Sequence, residues 1–242
     1  FNSFDKRTRH KIRKAANCGI ECYKDPSKNL NTLYNFVKRK TPKPIEFYRE
    51  LVSNFGDNAE VYYGRINTEV YVINSRKAYE REMEKNDRIA EKIQQIDISP
   101  EMKNALLNKK MESDKLLNTY KNSMVQATEL LKQHPNGIVV AGAIVIKYDN
   151  SAFLYIDGFD TNYSNLNPNY LLKWRMIDDY NKQHLKYLNL NAIVGEFERK
   201  NKFSGLNEMK LGYNSTITEY IGEFDIVLNN FSYNLYKSFG KK

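Results

Sequence analysis

The chain has 242 residues, with 38 Lys and Arg against 29 Asp and Glu, so its formal net charge is +9. Hydrophobic residues make up 41% of it, which excludes intrinsic disorder, and the length suits one large domain or two small ones. The longest apolar run, Gly137–Ile146, is about half of what a membrane span needs, and two cysteines are too few for a disulfide framework or a cysteine-based zinc site.

The start of the sequence predicts a cytosolic protein. It opens at Phe1 without the basic, apolar and small-residue pattern of a secretory signal. Cys18 and Cys22 are predicted to be structural thiols in a reducing compartment. The missing initiator Met predicts that the sequence is a fragment of a longer protein.

The first region, residues 1–75, is predicted to alternate helices and strands. A basic helix over residues 4–17 ends near Gly19, and a short strand follows. Asp25 and Pro26 are expected to start a second helix, which the prolines at 42 and 44 break. The remaining predicted elements are a helix over 45–54 and two paired strands over 60–66 and 69–73.

The second region, residues 76–133, is polar and is predicted to form an antiparallel helical hairpin. Apolar residues recur there at steps of three and four, the spacing of a seam between two helices. The predicted seam consists of Tyr79, Met83, Ala90 and Ile93, with a gap at Asn86, and of Ser113, Leu117, Tyr120, Met124, Ala127 and Leu131. Ser99 is a suitable N-cap for the second helix and Pro100 a suitable first residue.

The third region, residues 134–242, returns to alternating strands and helices. We expect strands over 138–147, 152–158, 187–191 and 217–221, and helices from Pro168 to about 180, over 206–211 and over 229–239. Strands interleaved with helices on both sides of the hairpin predict an α/β fold. The hairpin is expected to interrupt a single sheet.

The chain lacks the standard phosphate-binding, zinc-protease and serine-hydrolase motifs. Its three histidines are isolated along the sequence, so we predict no metal site and no histidine base. The densest charge is the segment Lys6–Lys14, which holds six cations and no acid. Such a segment suits phosphate, an anionic membrane surface or plain solvent.

Three sequence motifs, the last of them in two parts, and the helical hairpin form a recognisable series. Arg9–Ile20 has the pattern R-x-x-I-R-K-A-x-x-x-G-I, and Asn167–Ile177 ends in W-x-M-I. Met209–Asn214 reads M-K-x-G-Y, and Glu219–Phe224 follows as E-Y-I-G-x-F. The helical hairpin is inserted after the first of them. In this order the features resemble the Fem-type (FemABX) peptidoglycan-bridge aminoacyltransferases, except that Met209 stands where the family has Phe.

The resemblance implies a GNAT-like (acyl-CoA N-acyltransferase-like) mixed sheet with helices. The family pairs two such subdomains, and this chain resembles the second, formed by residues 1–75 and 134–242. Residues 76–133 would be its antiparallel two-helix coiled-coil arm. The first subdomain would lie upstream of Phe1, so activity is expected to depend on that half.

The resemblance also implies the reaction and its partners. The family moves an amino acid from aminoacyl-tRNA to the stem or bridge peptide of a peptidoglycan precursor, either lipid II or UDP-MurNAc-pentapeptide. No cofactor is expected, because the family uses no coenzyme A. In agreement, the sequence has no Q/R-x-x-G-x-G/A pyrophosphate loop.

Lys210 occupies the family's F-K position and is the predicted catalytic residue. An amine attacks an activated ester in this reaction, so the protein must supply positioning and positive charge near the developing oxyanion. The resemblance assigns the second task to Lys210. The alternative is a lysine that solvates a helix end.

Three residues are predicted to contact the precursor. Lys43 and Phe47 have the spacing at which the family places an Arg and a Tyr, and a Lys lacks the bidentate fork of an Arg. Tyr155, placed at the end of a central strand, resembles a family tyrosine that lines the same cleft. The alternative is an ordinary strand tyrosine.

Lys11, Arg13 and Lys14 in the basic helix are predicted to bind tRNA phosphate, because an aminoacyl-tRNA donor needs an anion-binding face. Peripheral contact with the cytoplasmic face of the membrane is a second expectation. A different class of function is a tRNA- or membrane-docking module without chemistry, and the plainest alternative is a solvated basic helix on an ordinary α/β domain. Lys210 within its motif favours the enzyme.

Overall fold

The computed structural model describes residues 1–39, 41, 43–95, 99–195, 204–219 and 226–239. Its helices are α1 (Lys6–Asn17), α2 (Asn31–Val37), α3 (Ile45–Phe55), α4 (Thr68–Ile93), α5 (Pro100–Gln133), α6 (Pro168–Lys182), α7 (Ser204–Leu211) and α8 (Asn230–Phe239). Its strands are β1 (Ile20–Lys24), β2 (Ala59–Ile66), β3 (Ile138–Tyr148), β4 (Ser151–Phe159) and β5 (Tyr187–Asn189).

These strands form one sheet in the order in which they follow along the chain. The pairs β1–β2, β2–β3 and β3–β4 are antiparallel, whereas β5 runs parallel to β4. β2 and β3 pair along their length although α4 and α5 separate them in sequence, and Ile66 lies opposite Ile138. The prediction of an α/β fold is therefore confirmed, and the sheet is continuous across the two long helices.

Helices cover both faces of the sheet, which explains why β3 is apolar along almost its whole length. On one face, α1 and α6 pack against the strands, and Ala143 and Leu154 are buried with Met176. On the other face, α2 and α3 cover the strands, and Ile144 is buried with Leu33. Successive residues of β3 thus enter different cores, as the two-residue period of a strand requires.

α4 and α5 pack against each other as an antiparallel hairpin. At its base the Thr68 hydroxyl donates a hydrogen bond to the carbonyl of His134 at 2.8 Å. α5 begins as predicted, because Ser99 accepts a hydrogen bond from the backbone N–H of Met102 and Pro100 is the first helical residue. Neither these helices nor any other described helix combines the length and apolar character needed to cross a membrane.

The contact line between α4 and α5 contains polar residues. Ser113 is buried at a predicted seam position, but on α4 Met83 is 40% exposed and Glu82 and Asn86 are buried instead. The Ser113 hydroxyl donates to Glu82 at 2.6 Å, and the Asn86 amide donates to Asp114 at 2.7 Å. The predicted α4 seam is therefore shifted by one residue at Met83, because paired polar groups occupy the contact line.

Residues 69–73 are helical, so the prediction of a strand there is wrong. Asn67 caps α4 by accepting a hydrogen bond from the backbone N–H of Val70 at 3.2 Å. In a strand Tyr71 and Ile73 would lie on the same face, yet Tyr71 is 2% exposed and Ile73 is 50% exposed. β2 finds its second partner in β3, beyond the hairpin.

Two further predictions differ from the structure. Asp25 does not start a helix, because its carboxylate accepts hydrogen bonds from the backbone N–H groups of Ser27 and Asn29 and closes a turn. α2 begins later, at Asn31. Residues 217–219 are not in a strand, and residues 220 and 221 of that predicted strand lie outside the described residues.

Glu60 on β2 is the centre of a charge network that joins three strands and α6. Its carboxylate pairs with Lys24 of β1 at 2.8 Å and with Lys147 of β3 at 2.9 Å. The Tyr180 hydroxyl of α6 donates to it at 2.7 Å. Burial alone would raise the pKa of Glu60, but hydrogen bonds from Lys147, Lys24 and Tyr180 outweigh it and lower the pKa to about 2.

Glu60→Gln is expected to lower the free energy of unfolding at neutral pH and to have a smaller effect in acid. Because the pKa of Glu60 in the folded protein lies below the ordinary 4.5, the stability from the charged carboxylate is present above pH 4.5 and is lost as the pH falls toward 2. The shift corresponds to at most about 3 kcal/mol. Urea unfolding at a series of pH values measures the effect.

Glu50→Gln is the matched control, since Glu50 is exposed on α3. The control should leave the free energy of unfolding unchanged at each pH. If Glu60→Gln lowered the free energy of unfolding by the same amount in acid as at neutral pH, the charged carboxylate of Glu60 would not be the source of the stability.

Candidate active site

Lys210 lies in α7 with its ammonium group inside the protein. Its neighbours Met209 and Tyr213 belong to the core that α1 and α6 form on one face of the sheet. Lys210 itself is 7% exposed, and its Nζ donates to the carbonyl of Ala192 at 2.6 Å. Among the described residues this carbonyl is the only hydrogen-bond acceptor of the ammonium, so two of its three N–H donors remain.

The chain beyond β5 is held above α7 by side-chain amides. β5 pairs with β4 over three residues, and the backbone after Asn189 makes no further strand pairing with β4. The Asn191 amide then donates to the carbonyls of Leu154 and Tyr155, at 3.4 Å and 3.3 Å. Asn207 on α7 pairs with the backbone of Val194 in both directions, at 3.1 Å and 2.8 Å. The carbonyl that meets the buried lysine lies between these two attachments.

Burial lowers the pKa of Lys210, because the charged form loses solvation. The nearby carboxylate of Asp157 opposes this by raising the pKa, and the ammonium of Lys173 lowers it further. The lysine therefore lies within the field of one charge of each sign. An ammonium in such a partly desolvated position interacts more strongly with a developing negative charge than one in water.

Lys173 and Asp157 form an ion pair that the sequence analysis missed. Lys173, on α6, is 1% exposed, and its Nζ lies 2.5 Å from Oδ2 of Asp157 on β4. The available signal was position: Lys173 stands three residues after Tyr170 and seven before Tyr180, both of which are buried. A lysine on the buried side of a helix requires a partner, and an acid in an apolar strand is a candidate for it.

Lys43, Phe47 and Tyr155, the predicted precursor contacts, lie along one surface between α3 and β4. The Lys43 ammonium is 5.0 Å from the centre of the Phe47 ring, which meets Tyr48 edge-on at 5.4 Å. Tyr48 in turn meets Tyr155 edge-on at 6.4 Å. The structure thus brings these three residues together through Tyr48. Asn191 connects them to α7, because its amide donates to the carbonyl of Tyr155 and the next residue, Ala192, accepts a hydrogen bond from Lys210.

Tyr155 is the extra residue of a β-bulge in the middle of β4, and its predicted place at a strand end is wrong. Ile144 of β3 lies opposite Ile156, and Val145 lies opposite Leu154, so Tyr155 has no opposite residue. A bulge bends a strand and redirects a side chain. Because Leu154 belongs to the core on the α6 side, the two-residue period of a strand already places Tyr155 on the α3 side, and the bulge keeps Ile156 on that side as well.

Lys11, Arg13 and Lys14, the predicted tRNA contacts on α1, differ in their surroundings. The Lys11 Nζ donates to the hydroxyl of Tyr170 at 2.7 Å and lies 4.4 Å from the centre of that ring. The Arg13 guanidinium lies 5.3 Å from the ring of Phe1, and both Arg13 and Lys14 are exposed. Lys11 therefore attaches α1 to α6, and Arg13 and Lys14 face solvent.

The two thiols are poor nucleophiles, in line with their predicted structural role. Burial raises the pKa of Cys18, and it raises the pKa of Cys22 to about 12. Both thiols are therefore protonated at neutral pH. In the part of the chain that the structure describes, no group of three or more His, Cys, Asp and Glu side chains is arranged to hold a metal ion.

Comparisons with known proteins agree on one family. A family model described as the FemAB family matches residues 1–241. Two curated relatives named aminoacyltransferase FemA, from two strains of Staphylococcus epidermidis, are each 24% identical over 198 residues, which is 81% of this chain and 46% of the relative. The chain spans about half the length of the curated relatives it matches.

A solved structure is similar over nearly the whole chain. The crystal structure of FemX superposes with a TM-score of 0.66 at 18% sequence identity, covering 97% of this chain and 60% of that chain. At this level of identity the likeness concerns the fold.

Gly212 is the point at which α1 meets the turn after α7. Its carbonyl accepts a hydrogen bond from the backbone N–H of Asp5 at 2.9 Å. A Cβ at this position would overlap the Thr8 hydroxyl and lie 3.0 Å from the carbonyl of Glu208. Only a glycine lets the two segments approach this closely.

Gly212→Ala is expected to destabilise the protein by about 1–3 kcal/mol, the usual effect of overpacking. Gly205→Ala is the control, since Gly205 lies in α7 and a Cβ there meets no atom of the described residues within 4 Å. The control should be neutral or slightly stabilising, because Ala favours a helix more than Gly does. Thermal unfolding of the three proteins tests this, and equal melting temperatures would show that α1 and α7 are not in close contact.

Proposed function

The chain belongs to the FemAB family, and we propose that it is part of an aminoacyltransferase acting in cell-wall bridge synthesis. The enzyme moves an amino acid from aminoacyl-tRNA to the stem or bridge peptide of a peptidoglycan precursor. Lys210 is the observation that carries the proposal. It is a buried ammonium with two N–H donors left over among the described residues, within the motif that resembles the family's.

The role of Lys210 follows from the charge that develops in the reaction. The acceptor amine forms a bond to the ester carbonyl carbon, and the carbonyl oxygen gains a full negative charge before the bond to the tRNA ribose oxygen breaks. The ground-state carbonyl carries only a partial charge. An ammonium that donates to this oxygen therefore stabilises the transition state more than the bound substrate, and that difference accelerates the reaction.

The acceptor is proposed to bind along Lys43, Phe47 and Tyr155. An ammonium next to an aromatic ring suits a precursor that carries phosphate and sugar, whether the precursor is lipid II or UDP-MurNAc-pentapeptide. The Asn191 amide joins the Tyr155 backbone to the segment whose carbonyl holds Lys210. Tyr155 and Lys210 are therefore both attached to the two consecutive residues Asn191 and Ala192, although they pack with cores on opposite faces of the sheet.

The donor tRNA is proposed to meet α1. Arg13 and Lys14 supply its exposed charge, and Lys11 orients the helix against α6. The GNAT-like subdomain over residues 1–75 and 134–242, the coiled-coil arm over 76–133, a cytoplasmic location and contact with the inner membrane surface belong to the same proposal. No cofactor is required, since the ester supplies the energy.

Lys210→Met is expected to lower turnover about 10²–10³-fold, the usual cost of losing one oxyanion donor. Methionine keeps the length of the side chain and removes the charge, so the fold should survive. The measurement uses the full-length protein with charged tRNAs and both precursor forms, and the product masses identify the amino acid and the acceptor.

Lys186→Met is the control, because Lys186 is an exposed lysine on the approach to β5. It should leave turnover unchanged. If Lys210→Met kept turnover within a few-fold of the wild type, Lys210 would not stabilise the oxyanion. If no product formed with either precursor while tRNA binding was retained, the docking module would be favoured.

Replacing both Arg13 and Lys14 with Glu is expected to weaken tRNA binding and to flatten its salt dependence. Each lost phosphate contact lowers the slope of log K against log salt by about 0.7–0.9. Lys11 stays unchanged in this variant, because its hydrogen bond to Tyr170 holds α1 in place. Titration of tRNA into the full-length protein at several salt concentrations measures the slope.

Lys182→Glu with Lys186→Glu makes the same change in net charge on another exposed part of the surface. That variant should retain the wild-type slope. Equal weakening in both variants would mean that net charge, and not α1, attracts the tRNA. Binding to anionic vesicles that is lost only in the α1 variant would favour the membrane.

A further inference from the structure

The hydrogen bond that holds the Lys210 ammonium ends on a backbone atom. The ammonium donates to the carbonyl of Ala192 at 2.6 Å, and Ala192 lies between β5 and α7, outside both. A lysine side chain has four rotatable bonds, so its ammonium takes many positions unless an acceptor is fixed in place. The direction of the other two N–H donors of Lys210 therefore depends on what holds the carbonyl of Ala192.

Asn191 is tied to its surroundings by its side-chain amide and by its backbone. The amide nitrogen donates to the carbonyls of Leu154 and Tyr155 on β4, and the amide oxygen accepts from the backbone N–H of Ala192 at 2.6 Å. The backbone N–H of Asn191 donates to the side-chain oxygen of Asn189 at 2.7 Å. The residue before the carbonyl that meets Lys210 is thus attached both to β4 and to the end of β5.

The backbone and the bulge in β4 both suit an asparagine at position 191. Asn191 has a φ of 70°, in the left-handed region that Asn adopts more often than most residues with a side chain. Successive carbonyls of a regular strand point to opposite edges, whereas at the Tyr155 bulge one amide reaches the carbonyls of two consecutive residues. A glycine at position 191 would keep the backbone conformation but would lack the amide.

We propose that Asn191 is a positioning residue, which fixes the carbonyl of Ala192 and thereby directs the ammonium of Lys210 toward the reacting ester. Asn191 and Ala192 are both exposed, so this support lies at the surface, where a substrate can approach. Asn191 contacts no reacting atom in this proposal and acts through Lys210. The inference rests on the proposed function only where it concerns turnover.

The first test follows the Lys210 ammonium without any reaction. The full-length protein is labelled with ¹⁵N-lysine and studied by NMR at low temperature, and the Lys210 Nζ resonance is assigned by its absence in Lys210→Met. In Asn191→Gly the ammonium protons should exchange with water about tenfold faster than in the wild type, because the carbonyl that accepts from them is no longer fixed. An unchanged exchange rate would overturn the proposal.

His184→Gly is the matched control on the other side of β5. His184 is exposed and also has a left-handed backbone, with a φ of 59°, so the replacement adds similar flexibility without removing a hydrogen bond to β4. It should leave the exchange rate of Lys210 and the turnover at their wild-type values. If both glycine variants changed the exchange rate equally, flexibility of the chain and not the Asn191 amide would control Lys210, and the proposal would be wrong.

The second test measures turnover in two backgrounds. Asn191→Gly should lower kcat about 10-fold to 10²-fold with little change in KM for the tRNA donor, because a displaced group slows the reaction without weakening substrate binding. In Lys210→Met the same change at Asn191 should lower kcat no further, since the group that Asn191 positions is already absent. An equal loss of kcat in both backgrounds would mean that Asn191 supports the fold and does not act through Lys210.

The two proposals fail in different ways. Retained turnover in Lys210→Met would remove the oxyanion role, while the exchange measurement would still report whether Asn191 holds the ammonium. If Asn191→Gly does not fold, Asn189→Ala takes its place, because it removes the acceptor of the Asn191 backbone N–H. Faster exchange at Lys210 is expected in that variant too, and an unchanged rate there would contradict the proposal.

Discussion

The pairing of β2 with β3 joins two parts of the chain that the long helices α4 and α5 separate. Ile66 and Ile138 lie opposite each other, and the Thr68 hydroxyl binds the carbonyl of His134, so the hairpin leaves and re-enters the sheet at one place. Without this pairing β1 and β2 would form a two-stranded ribbon, which is marginal by itself. The two cores, and with them the surfaces of α3 and α7, exist because the sheet is continuous across the insertion.

Two buried lysines distinguish the α6–α7 side of the sheet. Lys210 and Lys173 are 7% and 1% exposed, and burial lowers the pKa of Lys210. A fold selected for stability alone would place apolar residues there, since well-packed hydrophobic groups often replace a buried ion pair at no cost. The cost is understandable if a desolvated ammonium is what the reaction uses, because water would weaken its effect on a nearby negative charge.

Residues 69–73 and Met83 are positions where the local pattern was ambiguous. Residues 69–73 alternate like a strand, yet the Asn67 cap and the continuous helical run behind it place them in α4, and burial follows the helix. On α4 the one-residue shift from Met83 to Glu82 could not be seen in the sequence, since a charged residue is expected outside. Its burial depends on the Ser113 hydroxyl of the opposite helix, which only the folded hairpin provides.

By itself the sequence determined the α/β class, the presence of a helical hairpin and the Ser99–Pro100 start of its second helix, because hydrophobic period and capping act within a few residues. It also pointed to Lys210 through its motif. Only the tertiary structure decided that Tyr155 stands at a bulge, that Lys11 turns toward Tyr170 and that Lys173 meets Asp157. Each of these depends on a partner distant in sequence, and local propensity carries no information about which distant residue a side chain will meet in the fold.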